Sequence, residues 1–170
     1  MILIRPEEKE YIPGVRQVEE RAFKRAAEAE LVDRLRARGK ATLSLVAVED
    51  GEVIGHVLFS PVTLVNDEQR FDIVGLGPVA VEPKRQNEGI GSKLIRAGLE
   101  EVRQAGYAAV VVLGDPAYYS RFGFGPARRY GIYFDAPGIP EDAFQVLELR
   151  RGALEGHPGS ACYSEEFNEV

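Results

Sequence analysis

Residues 72–113 constrain the fold most. Residues 72–81 form a β-branched, apolar run that carries Gly75, Gly77 and Pro78 in its interior and is closed by Pro83. Proline cannot donate to a strand ladder and glycine weakens one, so a bulge is expected, with backbone groups near Val79 left unpaired for a ligand. The polar turn Gln86-Asn87-Glu88-Gly89-Ile90-Gly91 then opens a helix predicted over about residues 89–104, with Ile90, Leu94, Ala97 and Gly98 on one face and Gly106 as its stop. Residues 107–113 are apolar throughout, as suits a strand buried on both faces beside a parallel neighbour. Strand, helix and buried strand make a βαβ unit, and ligands are expected where its strands end and its helix begins.

The flanking elements are read in the same way. Residues 2–5 are a short first strand closed by Pro6; Pro13-Gly14 precedes a helix with Val15, Val18 and Phe23 as its apolar side. A second helix follows at once, with Leu31, Val32 and Leu35 on one face and Gly39 at the C′ position. Residues 42–48 and 52–65 pair as a hairpin through Glu49-Asp50-Gly51, and 66–70 form a polar turn. Beyond the βαβ unit, Asp115 caps a short helix with Pro116 at its first position and Gly123 as its stop; Tyr118 and Tyr119 lie on it. Residues 144–149 are a late strand and Cys162-Tyr163 another, while 137–140 and 152–159 are loops. This order predicts an α/β (α+β) fold: a mixed, mostly antiparallel central sheet with the βαβ unit and flanking helices, as one domain over residues 1–170.

Composition excludes several function classes. The chain has 170 residues, 45% apolar and 28% charged, a globular balance with no repeat or linker. One cysteine, Cys162, and two histidines, His56 and His157, do not make a conventional zinc site, so no metal is expected. The net charge of -6 disfavours nucleic acid and anionic membranes as partners. The N-terminus lacks the basic flank and length of a signal peptide, so a cytoplasmic location is expected.

The turn at residues 86–92 is an anion site by its physics. The first turn of a helix presents N–H groups and the positive end of the macrodipole, and glycine lets a pyrophosphate come close; Lys84, Arg85, Lys93 and Arg96 add positive charge. A phosphate-binding P-loop needs Gly-Lys-Ser/Thr, whereas Gly91 is followed by Ser92-Lys93. Residues 75–80 match the spacing of a dinucleotide fingerprint, but Pro78 lies inside the match and no helix follows it.

Q-N-E-G-I-G after V-A-V-E-P, followed by the apolar βα continuation and Y-Y-S-R-F-G-F, resembles the GCN5-related N-acetyltransferase (GNAT) superfamily, and 113–127 is similar to a bacterial subgroup called YhbS-like. The resemblance covers essentially the whole chain in element order. It implies the GNAT fold and an acyltransferase that carries an acetyl group from acetyl-coenzyme A (acetyl-CoA) to an amine. It further implies that the backbone of Gln86, Asn87, Glu88, Gly89, Ile90, Gly91 and Ser92 holds the pyrophosphate, and that Val79 and Val81 pair with the pantetheine arm. Tyr119 matches the position where a hydroxyl protonates the leaving thiolate, a step for which a positioned acid contributes about 10²- to 10⁴-fold. Many members have asparagine where this chain has Gly114-Asp115, so an asparagine contact to the cofactor is not carried over.

Candidates for the base are Glu82, Asp115 and His56. Glu82 reads as a surface ion pair beside Lys84 and Arg85, Asp115 as a cap, and His56 as a satisfied, half-buried histidine, so the base is unassigned. Cys162 reads as a buried or incidental cysteine. The acceptor side is expected in loops before Val15, around Asn66 and after Tyr130. Many relatives pair as homodimers, which leaves a monomer and a homodimer both open, and the rival reading is a non-catalytic acyl-CoA binding or sensing module, which would not need Tyr119.

Overall fold

The computed structural model of the chain describes residues 1–170, apart from the side chain of Glu169. The chain divides into two compact units, Met1–Ser60 with Gly77–Glu100 and Glu165–Val170, and Pro61–Leu76 with Glu101–Ser164. Among the described residues no helix is long and apolar enough to cross a membrane.

In the first unit, β1 (Leu3–Pro6) pairs antiparallel with β2 (Leu43–Glu49), and β2 with β3 (Glu52–Val65). Asp50 (φ 53°) and Gly51 (φ 79°) turn the hairpin, the two positive φ values that a two-residue turn matched to strand twist requires. Alternation along β3 sorts its faces. Leu58 joins Val46, Tyr11, Val15, Leu31, Val32 and Leu35 in a core beneath α1 (Ile12–Phe23) and α2 (Ala27–Ala37). On the opposite face, a Cβ at Gly55 would come within 2.9 Å of Leu94 and one at Gly98 within 2.3 Å of Phe59. Both glycines therefore let α3 (Ile90–Gln104) lie close on the strand.

Two details of α1 differ from the expectation. Pro13 and Gly14 lie inside its first turn, where proline's missing N–H costs no helical bond. Phe23 is 38% exposed: it continues the stripe of Val15, Val18 and Glu19 but is the last residue of the helix, before left-handed Lys24. α2 ends as expected: the Gly39 N–H donates to the Arg36 carbonyl and the Lys40 N–H to that of Leu35, the paired bonds of a left-handed glycine stop.

The second unit holds the parallel strand pair expected of a βαβ connection. β4 (Arg70–Val81) and β5 (Ala109–Leu113) pair in parallel at Val74↔Val110 and Gly75↔Val111. Strand β5 starts two residues later than expected, since Gly106 and Tyr107 close α3 by donating to the carbonyls of Arg103 and Val102. Val110, Val111 and Val112 are at most 1% exposed. β5 also pairs antiparallel with β8 (Phe144–Glu148), and β8 with the two-residue β6 (Gly125–Pro126). β9 (Gly159–Tyr163) lies antiparallel to the end of β3 and parallel to β7 (Ile132–Tyr133). Val62, Leu64, Ile73, Val111, Phe144 and Val146 centre this unit's core. The sheet is thus mixed and mostly antiparallel, with helices, as expected; β9 takes Gly159 from the expected loop. Of the two readings of Cys162, buried or incidental, the first does not hold: it is exposed, since β9 turns it away from the face that buries Ala161.

Candidate active site

The strand end and helix start are joined by a tightly determined turn. The Glu82 N–H donates to the Ile54 carbonyl (2.9 Å), closing β4, and Pro83–Arg85 makes one 3-10 turn. Gln86 is extended, Asn87 is left-handed at φ 66° and Gly89 at φ 83°. The Lys93 N–H donates to the Gly89 carbonyl (3.1 Å), so the helical ladder begins there, and the amides of residues 89–92 belong to the part of a helix that has no intrahelical acceptor. Left-handed residues just ahead of a helix start are a recurrent feature of backbone turns that bind anions. Residues 86–89 are exposed, and a Cβ at Gly89 would meet nothing within 4 Å, so the space beside Gly89 is open.

The side chains here serve the turn itself. Gln86 donates through Nε2 to the Val81 carbonyl (3.2 Å), tying the turn to the end of β4; that oxygen keeps a second lone pair. Ile90 is 1% exposed and packs toward Gly55, leaving only its backbone on the anion side. Arg85 is not loose positive charge: it pairs with Glu49 of the hairpin and with Glu88 (3.2 Å), which holds the Glu49 carboxyl below its usual range. Arg85 also offsets the charge of Glu88, which would otherwise oppose an anion. Glu82 pairs with Arg21 (3.2 Å) instead of Lys84 or Arg85. Val79 and Val81 are half-buried on β4, so all the cofactor-binding candidates fall in the first unit.

Tyr119 lies in the second unit, on α4 (Pro116–Tyr119). Asp115 caps this helix, its Oδ1 accepting the Ala117 N–H (3.0 Å), so its role as cap holds. Gly123 (φ 98°) ends the 3-10 turn that continues it. Tyr118 and Tyr119 diverge. Tyr118 lies under the Arg121 guanidinium (4.3 Å), whereas Tyr119 packs edge-on to Phe124 (5.8 Å) and against Gly114. Burial pushes the Tyr119 phenol up to about 12, which keeps it protonated throughout the neutral range.

His56 is fully buried, not half-buried. Its Nε2 lies 2.8 Å from Ser44 Oγ and its Nδ1 3.0 Å from Oε1 of Glu19, which burial drives toward the neutral acid. The sequence pattern did not reveal Glu19 as His56's partner, although its spacing from Val15 places it on the core face of α1.

Comparisons with known proteins identify the family. Residues 3–127 match the model of the acetyltransferase (GNAT) domain family. The chain is 45% identical over 168 residues to the uncharacterized N-acetyltransferase YhbS of Escherichia coli K12, covering 98% of this chain and 99% of that one. It is 37% identical over 150 residues to YjhQ of the same organism, covering 84% and 83%. The crystal structure of E. coli YhbS in complex with CoA superposes with a TM-score of 0.92, at 45% identity and covering 98% and 92% of the two chains. A GNAT family acetyltransferase of Brucella melitensis in complex with acetyl-CoA gives 0.79 at 42% identity, covering 98% of each. With the turn, the βαβ unit and these relatives together, the chain belongs to the GNAT family of N-acetyltransferases.

Proposed function

We propose that residues 1–170 work as one domain that transfers an acetyl group from acetyl-CoA to a primary amine, directly, in a ternary complex. The observation that carries this reading is the turn at 86–92, where left-handed Asn87 and Gly89 lead unpaired amides into α3 with open space beside Gly89. In this reading those amides hold the pyrophosphate, and the backbone of Val79 and Val81 binds the pantetheine arm as an added strand. The amine nitrogen forms the new C–N bond as the C–S bond breaks. Tyr119 gives its proton to the departing thiolate, and the proton lost by the ammonium restores the phenol through solvent. The CoA and acetyl-CoA complexes of the two solved relatives support the choice of donor. The same reading makes the protein a cytoplasmic enzyme, alone or as a homodimer.

The test measures acetyl-CoA affinity by calorimetry and thiol release across a broad panel of amines. The expected result is binding with turnover on at least one amine, and turnover reduced with unchanged binding in Tyr119→Phe. Tight binding with no thiol release on any acceptor would favour a non-catalytic sensing module and overturn the proposal.

A further inference from the structure

A cavity lies within the second unit, among residues that the acetyl-transfer reading does not use. It has a volume of about 420 Å³, in the range of small-molecule sites, and none of Val79, Val81, residues 86–92 or Tyr119 lines it. Its floor is bare backbone at Gly123 and Gly125; Arg129, Tyr130, Glu148 and Arg151 stand around it. The glycines matter for space. A Cβ at Gly123 would sit 3.2 Å from Leu147, and one at Gly125 would sit 3.6 Å from Nη1 of Arg129, so the guanidinium lies over the glycine backbone.

The charge is arranged for an anion. Arg128, next in the chain, pairs with Asp142 (3.0 Å) and Glu141 (4.0 Å), but Arg129 and Arg151 have no ion-pair partner among the described residues. That is notable in a chain with 27 acidic and 21 basic residues, where a surface guanidinium finds a carboxylate easily. The cavity's one acid, Glu148, is engaged by the backbone, since its Oε2 accepts the Leu154 N–H (2.9 Å) and closes the turn that presents Arg151. The two guanidiniums come from separate elements, the 3-10 turn Ala127–Tyr130 and the turn after β8. Guanidinium forks from two separate elements of one cavity suit an oxyanion with several acceptors. Tyr130, 39% exposed, adds a flat apolar wall that suits a small organic body behind the anionic group.

We propose that this cavity binds a small organic oxyanion, a carboxylate or phosphate monoester, between Arg129 and Arg151. Phosphate and carboxylate share the chemistry that the guanidiniums read, and the assay separates them. Titrations with phenyl phosphate and with benzoate, followed by NMR of the amides around Gly123 to Gly125, are run on wild type, Arg129→Gln/Arg151→Gln and Arg128→Gln. Saturable binding of at least one probe in the millimolar range or tighter is expected, weakened about tenfold or more in the double variant and unchanged in Arg128→Gln. Saturating CoA should leave that binding intact, which separates this site from the donor turn and keeps the result independent of acetyl transfer. Both arginines are exposed, so the double variant should keep its thermal unfolding midpoint. No binding of either probe, equal affinity in the double variant, or full displacement by CoA would overturn the proposal.

Discussion

Replacing Gly114 with alanine should disable Tyr119 without touching it chemically. The added Cβ would lie 2.4 Å from Cε2 of the Tyr119 ring, 3.0 Å from Cδ2 and 3.4 Å from Cζ. Carbon atoms pack comfortably at about 3.5–4.0 Å, so the ring must retreat by roughly 1 Å or more at its nearest edge. It cannot simply slide away, since Phe124 (5.8 Å between centroids) and Tyr118 (5.0 Å) flank it. The ring therefore tilts and the hydroxyl is carried off its position. A displacement of about 1 Å in a catalytic group costs on the order of 10²-fold in rate, and the whole contribution of a positioned acid is about 10²- to 10⁴-fold, or roughly 3–5 kcal/mol. The assay is steady-state thiol release by wild type, Gly114→Ala, Tyr119→Phe and the double variant, with acetyl-CoA affinity measured separately. Each single variant should lose about 10²-fold or more in kcat, with affinity within about twofold of wild type. The double variant should lose no more than Tyr119→Phe alone, because both changes remove one function. Wild-type kcat in Gly114→Ala, or losses that multiply in the double variant, would refute the reasoning.

Other consequences follow from the same packing and charges. Gly98→Ala drives a methyl to within 2.3 Å of Phe59 in the α3–β3 contact, and overpacking of this kind should cost about 1–3 kcal/mol, read as a shift in the urea midpoint with unchanged slope. Glu166 is held at about 2 by Arg38 (2.9 Å) and Lys40 (3.0 Å), below an ordinary carboxyl value of 4.5. A lowered folded pKa contributes stability above the unfolded value and loses it as pH falls, so the stability gap between wild type and Glu166→Gln should be constant above about pH 5 and close between about 4.5 and 2. Acid unfolding of the two proteins checks this. Tyr119, pushed up to about 12, should put no descending limb on the pH–rate profile near 10; a limb there that Tyr119→Phe abolishes would contradict its burial.

The parts of the fold that were legible are those where local chemistry and long-range topology agree. The Asp50-Gly51 turn, the Gly39 and Gly106 helix stops and the Asp115 cap each need a specific residue type at one position, and the structure uses each of them so. The buried run of β5 reported its parallel neighbour because only a strand covered on both faces is apolar without alternation. β6 and β7 were illegible, since two residues carry no period. The site divides along the same line. The turn at residues 86–92 is shaped by its backbone, which glycine and helix-start signals report, whereas ion pairs joining distant segments, Arg85 to Glu49 and Glu82 to Arg21, depend on tertiary placement. Glu19 shows the limit most clearly: its periodicity marks it as buried, but only the fold reveals that His56 receives it.

The central claim is that backbone amides of residues 86–92 hold the pyrophosphate of acetyl-CoA, and NMR of the labelled backbone during titration with acetyl-CoA tests it most directly. The account predicts saturable binding with the largest amide shifts at Gln86, Asn87, Gly89, Ile90, Gly91 and Ser92, moving downfield as each N–H gains an anionic acceptor. Saturable binding that leaves those amides unmoved would contradict it.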